Sequence, residues 1–375
     1  MSATDAAPAR LTVDLAALAA NYRLIAGRVA PAAVAPAVKA DAYGLGMAAV
    51  APALFAAGAR SFFVAWLEEG IALRRLLPEA EIFCLNGIAP GAADAYAPHR
   101  LTPVIGSLAE IEEWRGASHG GRAPAALQID TGMARLGLPA DELDRLAAEP
   151  TLLAGFDLTL VMSHLACSDD PAAAMNAAQL ERFRQALQRL GLEGRTRTSI
   201  AASGGVFLGP DFRFDLVRPG AALYGLTPLT GCANPMAQVV CLQVKILQVR
   251  RVDRGMTVGY GATHRTTRPS RLATVSAGYA DGYFRALGNR GHAYLGPVRV
   301  PVVGRVSMDL LTLDVTDAPP DLARRGQWVE LVGPHHSVDA LAAEAGTIGY
   351  EVLTALGRRY PRHYLAASGG AAGGA

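Results

Sequence analysis

The sequence predicts an α/β protein, built as an N-terminal (β/α)8 barrel of the TIM type followed by a mainly β C-terminal domain. Three observations carry that reading. Apolar strand-like runs alternate with helical patterns, eight runs at roughly 25-residue spacing over about 230 residues, which is the rhythm a closed parallel barrel requires. Near residue 236 the texture changes to short alternating runs separated by glycine and proline. The reactive side chains gather at the ends of the strand-like runs, where a barrel builds its site. On periodicity alone, an open doubly wound sheet is the alternative.

Residues 1–10 read as a loose, disordered arm. Asp14 then starts an alanine-rich helix through Arg28 that places Leu15, Leu18 and Tyr22 on one face. The strand-like runs follow at residues 32–38, 61–65, 81–85, 102–105, 125–129, 157–163, 198–202 and 216–224. Between them, Ser107 opens a helix to Gly116, with Glu110 placed to complete a capping box. Pro171 opens another, whose Leu180, Phe183, Leu187 and Leu190 form one stripe before Gly191 stops it. The barrel therefore spans residues 11–235. In the second domain, residues 236–365, the stretch 239–249 alternates Val244, Ile246 and Val249 with Lys245 and Gln248. Shorter runs follow at 272–275, 293–295, 298–303, 310–315 and 328–332. Residues 366–375 are Gly/Ala/Ser-rich and read as a disordered tail.

Composition removes several function classes. A net charge of +2 with 18% charged residues offers no basic face for nucleic acid. The hydrophobic fraction of 51% is swollen by alanine, and no uncharged apolar run reaches the ~20 residues of a membrane span. Residues 1–10 lack the basic-then-apolar order of an export signal, so a cytoplasmic protein is expected. Cys84, Cys167, Cys232 and Cys241 form no CxxC pair, which argues for buried free thiols and against a disulfide framework or a metal site.

Lys39 is the residue around which the chemistry collects. It closes the apolar run 32–38 and precedes a glycine-punctuated turn, and a lysine there is costly to desolvate unless it is paired or reactive. Asp130 to Arg135 follows the fifth run, Ser163-His164 ends the sixth, Ser203-Gly204-Gly205 follows the seventh and Arg218-Pro219-Gly220 lies in the eighth. Singly, each has a plain explanation: a turn glycine, a hydrogen-bonded core histidine, a helix cap, a surface ion pair. On one rim they describe a nucleophilic amine, an anion cradle and fixed positive charge. Pyridoxal phosphate needs that combination.

The motifs resemble those of the alanine racemase family. PAVKADAYG (36–44) looks like its cofactor-attachment motif, DTGMARLG (130–137) and VRPGAALYG (217–225) like two further barrel motifs, and VGYGAT (258–263), GYADGY (278–283) and GRVSMD (304–309) like β-domain motifs. The resemblance covers the chain except its two tails. It implies a pyridoxal 5'-phosphate enzyme, a homodimer with shared sites, that interconverts L- and D-alanine with two bases: Lys39, which holds the cofactor, and Tyr260, contributed by the other subunit. It further implies Tyr43, Ser203, Gly220 and Tyr350 at the phosphate, His164 beside the pyridine ring, and Arg135 at the phenolic oxygen and substrate. Arg218 would face the ring nitrogen, keeping it unprotonated and favouring reprotonation over transamination. Met308 would offer its N–H to the substrate carboxylate.

The sequence departs from that pattern at four places. Leu45 replaces a histidine, Ala202 an asparagine and Ser307 a cysteine. Gln128 stands where many members carry a carbamylated lysine, so either its amide oxygen accepts a bond from Arg135 or a bound anion supplies the charge. A broader-specificity racemase or a decarboxylase on the same scaffold is the nearest alternative, and Arg218 argues against the decarboxylase. A non-catalytic pyridoxal phosphate carrier would lack the β domain with Tyr260. D-Alanine for peptidoglycan precursors and breakdown of one enantiomer both remain open as roles.

Overall fold

The computed structural model describes residues 7–117 and 123–366. A closed parallel barrel forms from strands β2 (Ala33–Val34), β3 (Ser61–Val64), β4 (Glu81–Cys84), β5 (Thr102–Ile105), β6 (Pro124–Gln128), β7 (Asp157–Met162), β8 (Arg197–Ser199) and β9 (Leu216–Val217). Strands β3 to β8 pair in sequence order, and β2 pairs with β9. Two seams complete the ring. A parallel bridge joins Ala37 to Phe63, and the backbone bonds Asp215 N to Thr198 O (3.1 Å) and Arg218 N to Ala201 O (2.9 Å) link the eighth strand to the seventh. Pairing of first with last excludes the open sheet.

Most strands are short and apolar on both faces, as a sheet covered by helices demands, while β8 is Arg-Thr-Ser. Phe62, Phe63, Val64, Ile82, Phe83, Ile105, Leu127, Val161 and Val217 are fully buried, and Phe63 stacks on Phe83 at 4.7 Å. Each such side chain contributes roughly 1.5–3 kcal/mol on leaving water. The eighth run is cut short of the expected 216–224. Pro219 supplies no N–H to a ladder, and after Gly220 the chain turns into a 3₁₀ segment, Ala221–Tyr224.

The N-terminal expectation needs correction. Ala9–Asp14 is a strand, β1, and it belongs to the C-terminal sheet, not to an arm or to the barrel. Its alternation of buried Ala9, Leu11 and Val13 with half-exposed Arg10, Thr12 and Asp14 is the period-2 signal of a one-faced strand. Residues 1–6 of that arm and 367–375 of the tail lie outside the described residues. Helix α1 (Leu15–Val29) begins where expected, because Asp14 accepts from Ala16 N (2.8 Å) and Ala17 N (2.9 Å).

Strand β10 (Val240–Val252) is the spine of the second domain. It pairs antiparallel with β1, β17 (Trp328–Val332) and β13 (Ser270–Val275), and β18 (Arg362–Leu365) adds parallel to β1. One continuous apolar core runs through both regions. Two short helices, Val338–Ala345 and Gly349–Ala355, interrupt the β texture, and the second carries Tyr350 to the barrel mouth.

Candidate active site

Lys39 follows the C-terminal end of the first barrel strand and opens an unusual turn. Ala40, Asp41, Ala42 and Tyr43 all lie in the left-handed region, at φ 54°, 53°, 54° and 56°, before Gly44 at 81°. For residues with a Cβ this conformation costs roughly 1–2 kcal/mol each, so tertiary bonds must hold it. Met47 N donates to Asp41 Oδ1 (2.7 Å), Arg362 Nη2 to Gly44 O (2.9 Å) and Tyr364 Oη to Leu45 O (2.9 Å). Strand β18 of the second domain thereby clamps the far end of the turn. Leu45, at the position expected to carry histidine, is fully buried.

A cavity of about 470 Å³ opens at the C-terminal ends of the barrel strands. It brings together every expected barrel-side residue, Lys39, Tyr43, Arg135, His164, Ser203, Arg218 and Gly220, and Tyr350 from the second domain. Arg218 is held rigidly. Its Nη1 donates to Ser199 Oγ (2.5 Å), its Nη2 to Ser163 O (2.6 Å), and Nη2 also lies 3.3 Å from His164 Nδ1. A guanidinium only donates, so Nδ1 is the acceptor and the imidazole carries its proton on Nε2. Of the five guanidinium N–H donors, the one on Nε and one on Nη1 are left over. Ser199 gave no sequence signal beyond a polar residue ending a strand.

The opposite wall is an anion cradle. Ser203 Oγ accepts from Gly220 N (3.0 Å) and Ala222 N (3.1 Å), which leaves its own proton unused. A Cβ on Gly220 would fall 2.1 Å from Tyr43 Oη, so only glycine lets the tyrosine close over this turn. Tyr43 packs between Tyr224 (ring centroids 4.7 Å) and Tyr350 (6.1 Å).

Electrostatics follow from crowding cations in a buried place. Burial lowers the Lys39 amine's affinity for a proton, and Arg135 and Arg218 lower it further, with Glu69 opposing. Burial, then Arg218, Arg135 and Lys39, pull His164 down to about 3, so the imidazole is neutral near pH 7. Burial brings Arg218 down to about 9, still above neutrality. Tyr43 is pushed well up by burial. The set therefore offers an amine of lowered proton affinity, two cations and a hydroxyl with a free proton for an anion, and that fits pyridoxal phosphate.

Two expected residues are elsewhere. Tyr260 is 74% exposed and shares a separate depression of about 260 Å³ with Tyr279, Arg285, Arg305 and Ser307. Met308 is 54% exposed nearby in sequence, and neither lines the Lys39 cavity of its own chain. Gln128 donates Nε2 to Leu136 O (2.9 Å), while Arg135, exposed at the cavity, makes no hydrogen bond with it or with any other described residue. The described residues contain no cluster able to hold a metal ion.

Sequence models of the alanine racemase N-terminal domain and C-terminal domain match residues 13–228 and 239–364. The chain belongs to the alanine racemase family. An alanine racemase of Rhodospirillum rubrum is 53% identical over 369 residues, covering 97% of this chain and 98% of its relative. That of Acidiphilium cryptum is 54% identical over 353 residues, 94% and 97% of the two chains. Among solved structures, alanine racemase from Bartonella henselae with covalently bound pyridoxal phosphate superposes with a TM-score of 0.92 at 42% identity, covering 96% of this chain and 100% of that one. The biosynthetic alanine racemase of Pseudomonas aeruginosa gives 0.90 at 36% identity, with coverage of 96% and 100%.

Proposed function

We propose that this member of the family interconverts L- and D-alanine with pyridoxal 5'-phosphate attached at Lys39, in the cytoplasm, as a homodimer. The observation that carries the reading is the convergence of a Lys39 amine of lowered proton affinity, the Ser203 and Gly220 cradle and the buried Arg218 in one cavity. The bound cofactor supplies electron withdrawal that weakens the bond between Cα and its hydrogen. Ser203, Tyr43, Tyr350 and the Gly220 turn hold its phosphate. Arg218 would face the ring nitrogen and, having no proton to release, would limit how strongly the ring draws electrons. His164 packs beside the ring and, through Nδ1, fixes the guanidinium. Arg135 neutralises the phenolic oxygen and helps orient the substrate.

Inversion requires a proton to leave one face of Cα and another to arrive on the opposite face. Lys39 serves one face. The partner subunit's Tyr260 serves the other, which accounts for a tyrosine so exposed on this chain. Met308 N–H contributes to the substrate carboxylate across the same interface. Production of D-alanine for peptidoglycan is the role that fits such a reaction. The test is a racemisation assay over a panel of amino acids, joined to borohydride fixation of the cofactor and peptide mapping. The chain has two lysines, and Lys245 lies over the Trp328 ring at 4.8 Å, away from the cavity. Label on the Lys245 peptide, or no turnover of alanine, would sink the proposal.

A further inference from the structure

Glu69 sits on helix α4 (Leu67–Leu76) behind the Lys39 turn, and its two carboxylate oxygens do different things. Oε2 accepts from Ala65 N (2.7 Å) and Trp66 N (3.1 Å), capping its own helix. Oε1 turns away across 29 residues of sequence to accept the backbone N–H of Ala40 at 2.6 Å. Ala40 is the first left-handed residue after Lys39, and this bond anchors the near end of the turn as Arg362 and Tyr364 anchor the far end. A helix cap alone needs no second oxygen aimed there.

We propose that Glu69 is a positioning residue for Lys39, its carboxylate clasping the Ala40 N–H so that the left-handed turn presents the amine to the cavity. The proposal rests on Lys39 being the attachment lysine. It assigns the carboxylate two effects on that amine. The clasp fixes the direction in which the ε-amine approaches a carbonyl, and a charge-assisted bond to backbone is among the stronger ways to fix a strained segment. The negative charge opposes the two arginines, holding the amine's proton affinity up against them.

The test uses the full-length chain freed of cofactor. With two lysines in the chain, ¹³C reductive methylation gives a spectrum in which Lys39 can be titrated by itself. Glu69→Gln, nearly isosteric, is expected to lower the Lys39 pKa. It should also slow capture of added pyridoxal phosphate roughly tenfold, since the amide cannot offer acceptors in both directions. Ser107→Ala, which removes the cap of Leu108–Gly116, serves as the control, lowering the melting temperature and moving neither readout. If Glu69→Gln behaves like the control, Glu69 is a helix cap only and the proposal fails. Should that variant not fold, exchange of the Ala40 amide in the wild-type protein decides: protection of roughly tenfold or more supports the clasp, and exchange at the free-peptide rate overturns it. Neither readout involves turnover, so failure of the racemase reading and failure of the clasp are separately visible.

Discussion

A guanidinium that commits both terminal nitrogens to Ser163, Ser199 and His164 can donate to a ring nitrogen but never protonate it. Arg218→Glu is therefore expected to lower alanine racemisation on the order of 100-fold while pyruvate formation by transamination rises. A variant that racemises normally without making pyruvate would remove Arg218 from the ring nitrogen. His164 makes a prediction of opposite kind, about stability. Its folded pKa, about 3, lies below the ordinary 6.5, so between those values the unfolded chain binds a proton that the folded chain does not. Stability should then fall by roughly 1.4 kcal/mol per pH unit as pH drops through that window, with the histidine's cost absent above pH 6.5. His164→Gln, whose amide oxygen can still accept from Arg218, should flatten the acid limb of urea midpoints measured from pH 7 to pH 4. An unchanged slope would mean that His164 is already protonated in the folded protein. The cluster was legible in the sequence residue by residue because strand ends in a barrel converge. Ser199 was not, since a serine at a strand end looks the same whether or not an arginine leans on it.

The turn after Lys39 shows where sequence reading stops at the scale of elements. Most of the eight strands could be located because buried apolar side chains run through them, and Asp14 announced its helix by chemistry that requires only neighbouring residues. Ala-Asp-Ala-Tyr in a left-handed turn gives no such announcement, because these residues avoid that conformation unless distant groups impose it. β1 differs: its six residues alternate apolar and polar in the sequence, and only its partners, in β10 and β18, are distant. A pair of substitutions separates the two kinds of backbone. Ala40 is exposed and has φ 54°, so Ala40→Gly should leave stability unchanged or raise it by about 1 kcal/mol. Ala20 is exposed within α1, and Ala20→Gly should lower stability by about 1 kcal/mol. Equal losses at both positions in denaturant titrations would show that the turn is not left-handed in solution.

For the whole molecule, the proposed role of Tyr260, which lies outside the Lys39 cavity of its own chain, predicts that activity belongs to a pair of chains. Lys39→Ala and Tyr260→Phe dimers should each be nearly inactive. A mixed dimer gathers one site with both bases and one with neither; random reassortment makes about half of the dimers mixed, so roughly a quarter of wild-type activity should return. A tag on one variant verifies the reassortment, and mixed dimers no more active than their parents would place both bases in one chain or remove Tyr260 from the reaction. The position of β1 reaches into how such a molecule is made. Strand β1 leaves the ribosome ahead of the barrel, yet it lies between β10 and β18, which are translated after the barrel is complete. At ordinary translation speeds Leu11 and Val13 therefore wait on the order of ten seconds with an apolar edge and no sheet to join. The growing chain is open to wrong pairing during that interval, while the barrel that carries Lys39 and Arg218 is being completed.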